Sequence, residues 1–121
     1  MIKVKRAYDA PSKQDGFRVL VDRIWPRGLK KEGAAIDRWL KAVAPSSELR
    51  QWFGHETKKW REFCQRYAAE LEDKEDEIRF LKEQSQSGTL TLIFSARDIE
   101  HNNAVALKKY LDSSLTARCR K

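Results

Sequence analysis

Two charged clusters, each following an apolar run, hold the side chains with chemistry to offer. Asp22-Arg23-Ile24-Trp25-Pro26-Arg27-Gly28 follows residues 17–21, and Ser95-Ala96-Arg97-Asp98, with Asn102 one helical turn on, follows residues 90–94. In open α/β sheets, ligands gather beyond the carboxyl ends of the strands, so two strands ending in charge can frame one site. Arg23 and Arg27 offer guanidinium groups to a phosphate or carboxylate, and Gly28 lets backbone approach a ligand. Trp25 either lines that site or packs in the core, and the arginines either hold an anion or pair with Asp22 or a helix carboxylate.

In the second cluster, Ser95 and Ala96 are small enough for backbone N–H groups at a helix start to face an anion. Arg97 adds charge there. Asp98 is read as a helix cap, a general base or a partner for an arginine of the first cluster. Ser95 acts as a nucleophile only beside a base, and His55 and His101 are the two imidazoles in the chain. His55 follows Gly54 and reads as a helix-end histidine, catalytic only if the fold carries it to the strand ends. The candidate set is therefore Asp22, Asp98 and His55 for proton transfer, with Arg23, Trp25, Arg27, Ser95, Arg97 and Asn102 for binding. Trp52, Trp60 and Tyr67 are spaced as core residues, although aromatics near arginines also stack bases.

No phosphate loop or GxGxxG fingerprint occurs, and the two histidines and two cysteines do not form a zinc spacing. No metal and no cofactor is expected. No helix-turn-helix can be read either, which weakens a transcription-factor reading.

The elements that must position these clusters follow from periodicity. Ile2, Val4 and Arg6 alternate with lysines as in a short edge strand. Residues 7–16 are rich in turn formers, residues 17–21 read as an inner strand, and residues 30–35 read as irregular. Residues 36–43 are ambiguous: Ile36, Trp39, Leu40 and Val43 have helical spacing, yet the segment is short and stops at Pro45, so a strand is weakly favoured. Ser46 or Ser47 caps a helix ending near Gly54. A longer helix from Thr57 carries Trp60, Phe63, Cys64, Tyr67 and Leu71 on one stripe, and Ile78, Leu81 and Phe80 continue the apolar face. After the strand at 89–94, Asp98 is expected to cap a last helix packed through Ala104, Leu107, Lys108 and Leu111. The result is an α/β fold: a small single-domain layer fold with a partly parallel sheet flanked by helices.

The chain of 121 residues fits one domain over residues 1–115, with a flexible basic tail at 116–121. Hydrophobic residues make up 40% and charged residues 36%, and no apolar run approaches the roughly 20 residues of a spanning helix. With no signal-peptide pattern and with Cys64 and Cys119 too few for a disulfide framework, a cytoplasmic location and no membrane partner are expected. The net charge of +7 favours an anionic partner. That charge is uneven: residues 23–41 carry six basic and two acidic side chains, whereas residues 62–83 carry eight acidic and four basic ones. Oligomeric state is not legible.

The chain resembles the YeaO-like branch of the domain-of-unknown-function 488 family over roughly residues 1–112. The stretches that carry the resemblance are Val19-Leu20-Val21-Asp22-Arg23-Ile24-Trp25-Pro26-Arg27-Gly28, Trp39-Leu40-Lys41 with Ala44-Pro45-Ser46, Glu48-Leu49-Arg50, and Trp52-Phe53-Gly54-His55. Trp60, Phe63, Tyr67, Glu70-Leu71, Thr91-Leu92, Ala96-Arg97-Asp98 and Asn102 complete it. Similar chains have a histidine between that asparagine and the following alanine; here Asn103 takes the place and His101 lies two residues earlier. The resemblance implies a small α/β domain with a shared polar site, and no established reaction.

The reading expected from the residues is an enzyme acting on an anionic small molecule or nucleotide. Arg23, Arg27 and Arg97 would hold the anion while Asp22 and Asp98 orient them or move protons. The alternative is a non-catalytic nucleic-acid or nucleotide-binding module on the same basic face. A third reading makes the clusters buried ion pairs that fix loop geometry.

Overall fold

A computed structural model describes residues 1–119, with side chains through Ser113. Four strands form one sheet: β1 (Ile2–Arg6), β2 (Phe17–Leu20), β3 (Arg38–Trp39) and β4 (Leu90–Phe94), in the order β1-β4-β2-β3. Every pairing is parallel, with Val19 opposite Leu92 and Val4 opposite Leu92 on the other side. β4 is therefore central and all five of its residues are buried, its one polar member, Thr91, donating its hydroxyl to the Asp15 carbonyl. The expected edge strand at the N-terminus is β1.

Strand side chains alternate between two unlike faces. Val19, Val21, Leu90, Leu92 and Phe94 point into the main core, against Phe63, Tyr67 and Leu71 of α3 (Trp60–Leu71), Ile78 and Leu81 of α4 (Glu75–Ser87), and Ala104, Leu107 and Leu111 of the last helix. Leu20 and Ile93 point the other way and are covered by Ala7, Trp25, Leu29 and Ile36 from connections and by Trp39 of β3, with no long helix among them. One face is thus a helical layer and the other a layer of irregular chain.

That irregular layer is held by polar contacts. Arg18, on the loop-covered face of β2, is 3% exposed, and its guanidinium pairs with Asp15 while Nη2 and Nε each donate, at 3.0 Å, to the carbonyls of Ala34 and Ala35. Those carbonyls lie at the end of α1 (Lys31–Ala34), a one-turn helix where irregular chain was expected; Ala35 closes it with φ 52°. Burying an arginine is tolerable only with every donor answered, and the helix end supplies acceptors.

Residues 36–43 resolve the ambiguity by dividing. Arg38 and Trp39 pair with β2, and Lys41–Val43 form a 3₁₀ turn. Ile36 packs on the irregular side and Val43 in the main core, so the helical spacing of these residues reflects a crossing between faces.

Ser46 caps α2 (Ser47–Phe53) by accepting from Leu49 N, as expected, and its own N–H and hydroxyl donate to the Glu70 carboxylate at 2.9 and 2.6 Å. The helix read from Thr57 opens with a 3₁₀ turn before α3. Tyr67, fully buried, donates to the Val43 carbonyl, and burial pushes its phenol upward, with Glu70 and Asp22 adding to the shift. The last helix, α5, spans Asn103–Cys119. Ala104, Leu107 and Leu111 are buried as expected, but Lys108 is half-exposed and paired with Asp112 at 2.7 Å. The backbone of the expected tail is helical through Cys119; its side chains, and Arg120 and Lys121 entirely, lie outside the described residues. Among the described residues no helix is long and apolar enough to cross a membrane.

Candidate functional site

Because β2 and β4 are neighbours and parallel, their charged continuations emerge side by side. Val21 N donates to the Ile93 carbonyl at 3.1 Å, carrying the ladder one residue past β2, and Asp22 then faces Ser95. Oδ2 of Asp22 accepts from the backbone N–H of Ser95 at 2.9 Å and from its hydroxyl at 2.7 Å. Oδ1 accepts from Asn103 Nδ2 at 3.0 Å, and the same amide also donates to the Val21 carbonyl at 3.0 Å. One carboxylate thereby ties β2, the end of β4 and the start of α5. Asn103, which the sequence reading noted only as a departure from similar chains, is the third member of this knot.

The second cluster is built differently from the expectation. Asp98 does not cap α5. Its Oδ1 accepts from Glu100 N at 2.9 Å and His101 N at 3.0 Å, closing a turn, and Oδ2 lies 3.0 Å from His101 Nδ1. The cap is Asn102: its Oδ1 accepts from Val105 N at 3.0 Å, and its Nδ2 donates to the Asp98 carbonyl at 2.9 Å. The chain makes one further turn before α5 begins, so the capping position falls four residues later than the charge pattern suggests. Hydrogen bonds, led by that from Glu100 N, hold the Asp98 carboxyl below the usual carboxylate range, with the His101 imidazole adding to the effect. The other flank of the His101 ring meets Trp60 edge-on, centroids 5.2 Å apart.

A cleft of about 390 Å³ opens above these strand ends. Asp22, Ser95, Asn102 and Asn103 line its polar side, Phe53 and Phe63 its apolar side, and Arg23, Arg50, His55 and His101 its remaining edges. Arg23 Nη2 reaches the Pro45 carbonyl at 3.3 Å. His55, with φ 59°, follows Gly54 at the end of α2; it is exposed, its ring 6.4 Å from that of Phe53, and it lines the cleft.

Trp25, Arg27 and Arg97 go elsewhere. They line a second groove of about 560 Å³ with Arg6 and Tyr8, and Ile24 and Ser95 border both depressions. The three arginines expected to share one anion do not converge: Arg23 faces the first cleft and Arg27 and Arg97 the second. Ile24, 68% exposed, stands between them. Trp25 is half-buried, with Nε1 donating to the Leu29 carbonyl at 2.7 Å and its ring edge-on to Trp39 at 5.4 Å, so it packs the irregular layer as well as walling the groove. Asp98 lines neither depression and reaches the cleft through His101.

Arg50, Phe53 and His101 were not singled out as site residues. Arg50 ends the Glu48-Leu49-Arg50 stretch that carries the resemblance, is exposed on α2 and lines the cleft, and nothing in its spacing distinguishes it from any other solvated arginine. The arrangement presents cationic and imidazole groups against an aromatic wall, chemistry suited to a planar ligand bearing negative charge. Among the described residues no group of three or more His, Cys, Asp or Glu side chains is placed to hold a metal ion.

Comparison with known proteins gives a family and no reaction. A family model described as "Inactive DUF488-N3 subclade" matches residues 1–120. The chain is 42% identical over 112 residues to uncharacterized protein YeaO of Escherichia coli (strain K12), covering 93% of this chain and 97% of that one. It is 36% identical over 111 residues to uncharacterized protein Rv3073c of Mycobacterium tuberculosis (strain ATCC 25618 / H37Rv), covering 92% and 93%. No solved structure gives a significant match.

Proposed function

The chain belongs to the DUF488-N3i family as a YeaO-like member, and from that premise we propose that it is a non-catalytic module binding a nucleotide-like anion in the cleft at the strand ends. The observation that carries this reading is the commitment of Asp22. Both of its oxygens accept hydrogen bonds from fixed neighbours, so the carboxylate best placed to act as a base is spent on joining the strand ends. The guanidinium groups of Arg23 and Arg50 remain beside it for an anion, and Phe53 and Phe63 offer an apolar wall to a heterocycle. The family's description as inactive agrees with a site that keeps its shape for binding.

The enzyme reading draws on one feature, the Asp98–His101 pair. A carboxylate 3.0 Å from Nδ1 orients an imidazole whose Nε2 can then accept a proton. The two readings part in one experiment. Nucleoside monophosphates, the corresponding nucleosides and inorganic phosphate are titrated against the protein by calorimetry and thermal melting, and the recovered ligands are checked by NMR. Binding of the monophosphates, weakened about tenfold or more by Arg50→Ala and with ligand recovered intact, supports the module. Conversion of ligand abolished by His101→Ala establishes the enzyme instead, and no binding by any of the three overturns both.

A further inference from the structure

The second groove lies just across Ile24 and Ser95 from the cleft. Arg6, Arg27 and Arg97 line it together with Tyr8 and Trp25, and unlike the cleft it contains no carboxylate. Arg6 is positioned by the protein: Nε donates to the Ala96 carbonyl at 3.0 Å, and its guanidinium lies 5.0 Å from the centre of the Tyr8 ring. Tyr8 in turn donates its hydroxyl to the Arg27 carbonyl at 2.8 Å, so the connection that follows Asp22 is fixed to the end of β1. The side chains of Arg27 and Arg97 are exposed, and among the described residues neither has a hydrogen-bond or ion-pair partner within the protein. Three guanidinium groups gathered without a carboxylate repel one another, and a run of negative charge relieves that repulsion.

We propose that this groove carries the phosphodiester backbone of a single-stranded nucleic acid, one of whose nucleotides occupies the neighbouring cleft. The inference rests on the nucleotide reading of that cleft and names the polymer to which the nucleotide belongs. A free mononucleotide has no use for a second cationic groove, whereas a strand presents phosphates on either side of any base it inserts. Ile24, 68% exposed between the two depressions, and Tyr8, 45% exposed within the second groove, offer apolar and aromatic surface to unstacked bases. A duplex offers its bases only stacked, so a single strand fits the arrangement better.

The test is fluorescence anisotropy with labelled decathymidylate and decauridylate over a salt series, run beside mononucleotide calorimetry. The wild-type chain binds the oligomers, and log affinity falls with log salt by about 0.7 for each phosphate engaged. The double variant Arg27→Ala/Arg97→Ala loses about tenfold or more in oligomer affinity and lowers the salt slope by about 1.4, while mononucleotide binding is unchanged. Should the alanine pair melt early, Arg27→Gln/Arg97→Gln gives the same readout with more of each side chain kept. Oligomer binding equal in wild type and double variant, or none at low salt, overturns the proposal and leaves the mononucleotide reading standing. Equal competition by polyglutamate also overturns it, since the groove then accepts any polyanion. Oligomer binding that needs Arg27 and Arg97 without mononucleotide binding keeps the groove and overturns the cleft reading instead.

Discussion

Asp22 and Ser95, 73 positions apart in the chain, are joined by two hydrogen bonds to a single carboxylate oxygen. The contact turns two adjacent strand ends into one floor, and Asn103 secures the other oxygen from the start of α5. The residue that reads most readily as a catalytic acid or base thus has hydrogen bonds on both oxygens that link β2, β4 and α5.

Asp22→Ala should therefore be costly to the fold. It leaves the Ser95 N–H, the Ser95 hydroxyl and one bond of the Asn103 amide without their acceptor in a half-buried position, where each stranded donor costs about 1–3 kcal/mol. A total near 3 kcal/mol is expected, because water can reach part of the site. Asp22→Asn should cost less, since its carbonyl still serves one neighbour. Urea unfolding measures both; a loss under about 0.5 kcal/mol for the alanine variant would show that the tie carries no stability.

The cap assignment predicts an inversion between two neighbouring residues. Asn102→Ala should lower stability by about 1 kcal/mol through loss of the Val105 N–H acceptor, with the Asp98 turn loosened as well. Asp98→Ala should have the smaller effect, because Asp98 closes an exposed turn that precedes the helix. Thermal melts rank the two, and an Asp98 variant less stable than the Asn102 one reverses the assignment.

The sheet was legible because its inner strands are short apolar runs that end in charge, and periodicity alone separates them from the amphipathic α3 and α4. Three features were not legible, each for a physical reason. Asp98 and Asn102 are both good capping residues, and which one caps depends on how many residues the preceding turn consumes. Arg23 and Arg27 look alike along the chain, but Ile24 separates their grooves only once residues 22–27 are laid over the sheet edge. Arg18, read as part of an inner strand, gives no sign in its spacing that Asp15 and the end of α1 will close over it.

That closure predicts an acid-sensitive contribution. Burial by itself would raise the Asp15 carboxyl, but hydrogen bonds from Lys5, Ser12 N and Arg18 outweigh it and hold the group below its ordinary value. A carboxyl depressed on folding stabilises fully above its unfolded pKa, about 3.9, and loses that contribution as pH falls through the lower folded value. Asp15→Asn should cost about 3 kcal/mol at neutral pH, since Arg18 is left charged and buried, and should flatten the decline in stability below about pH 4. Urea midpoints between neutral and strongly acidic pH test both statements; parallel curves for the two proteins would show that Asp15 titrates as an ordinary carboxyl.

Two glycines with positive φ separate backbone strain from collision. Gly28 has φ 77°, where alanine costs about 1–2 kcal/mol. Gly16 has φ 64° with ψ −130°, outside the αL basin, where the strain on alanine is larger, up to about 3 kcal/mol. A Cβ at Gly28 meets nothing within 4 Å, and Gly28→Ala should cost no more than its own strain. A Cβ at Gly16 would stand 2.2 Å from the Thr89 carbonyl oxygen, closer than real contacts allow. That oxygen also accepts from Phe17 N at 2.9 Å in the first bond between the β2 and β4 segments. Relieving the collision pushes the start of β2 away from the central strand, beside the buried Asp15–Arg18 pair. Gly16→Ala should accordingly lose more than the strain alone, upwards of about 3 kcal/mol, with faster amide exchange at Phe17. Equal melting temperatures for the two alanine variants would mean that the segment yields freely there, and that the Asp15 closure does not depend on where β2 begins.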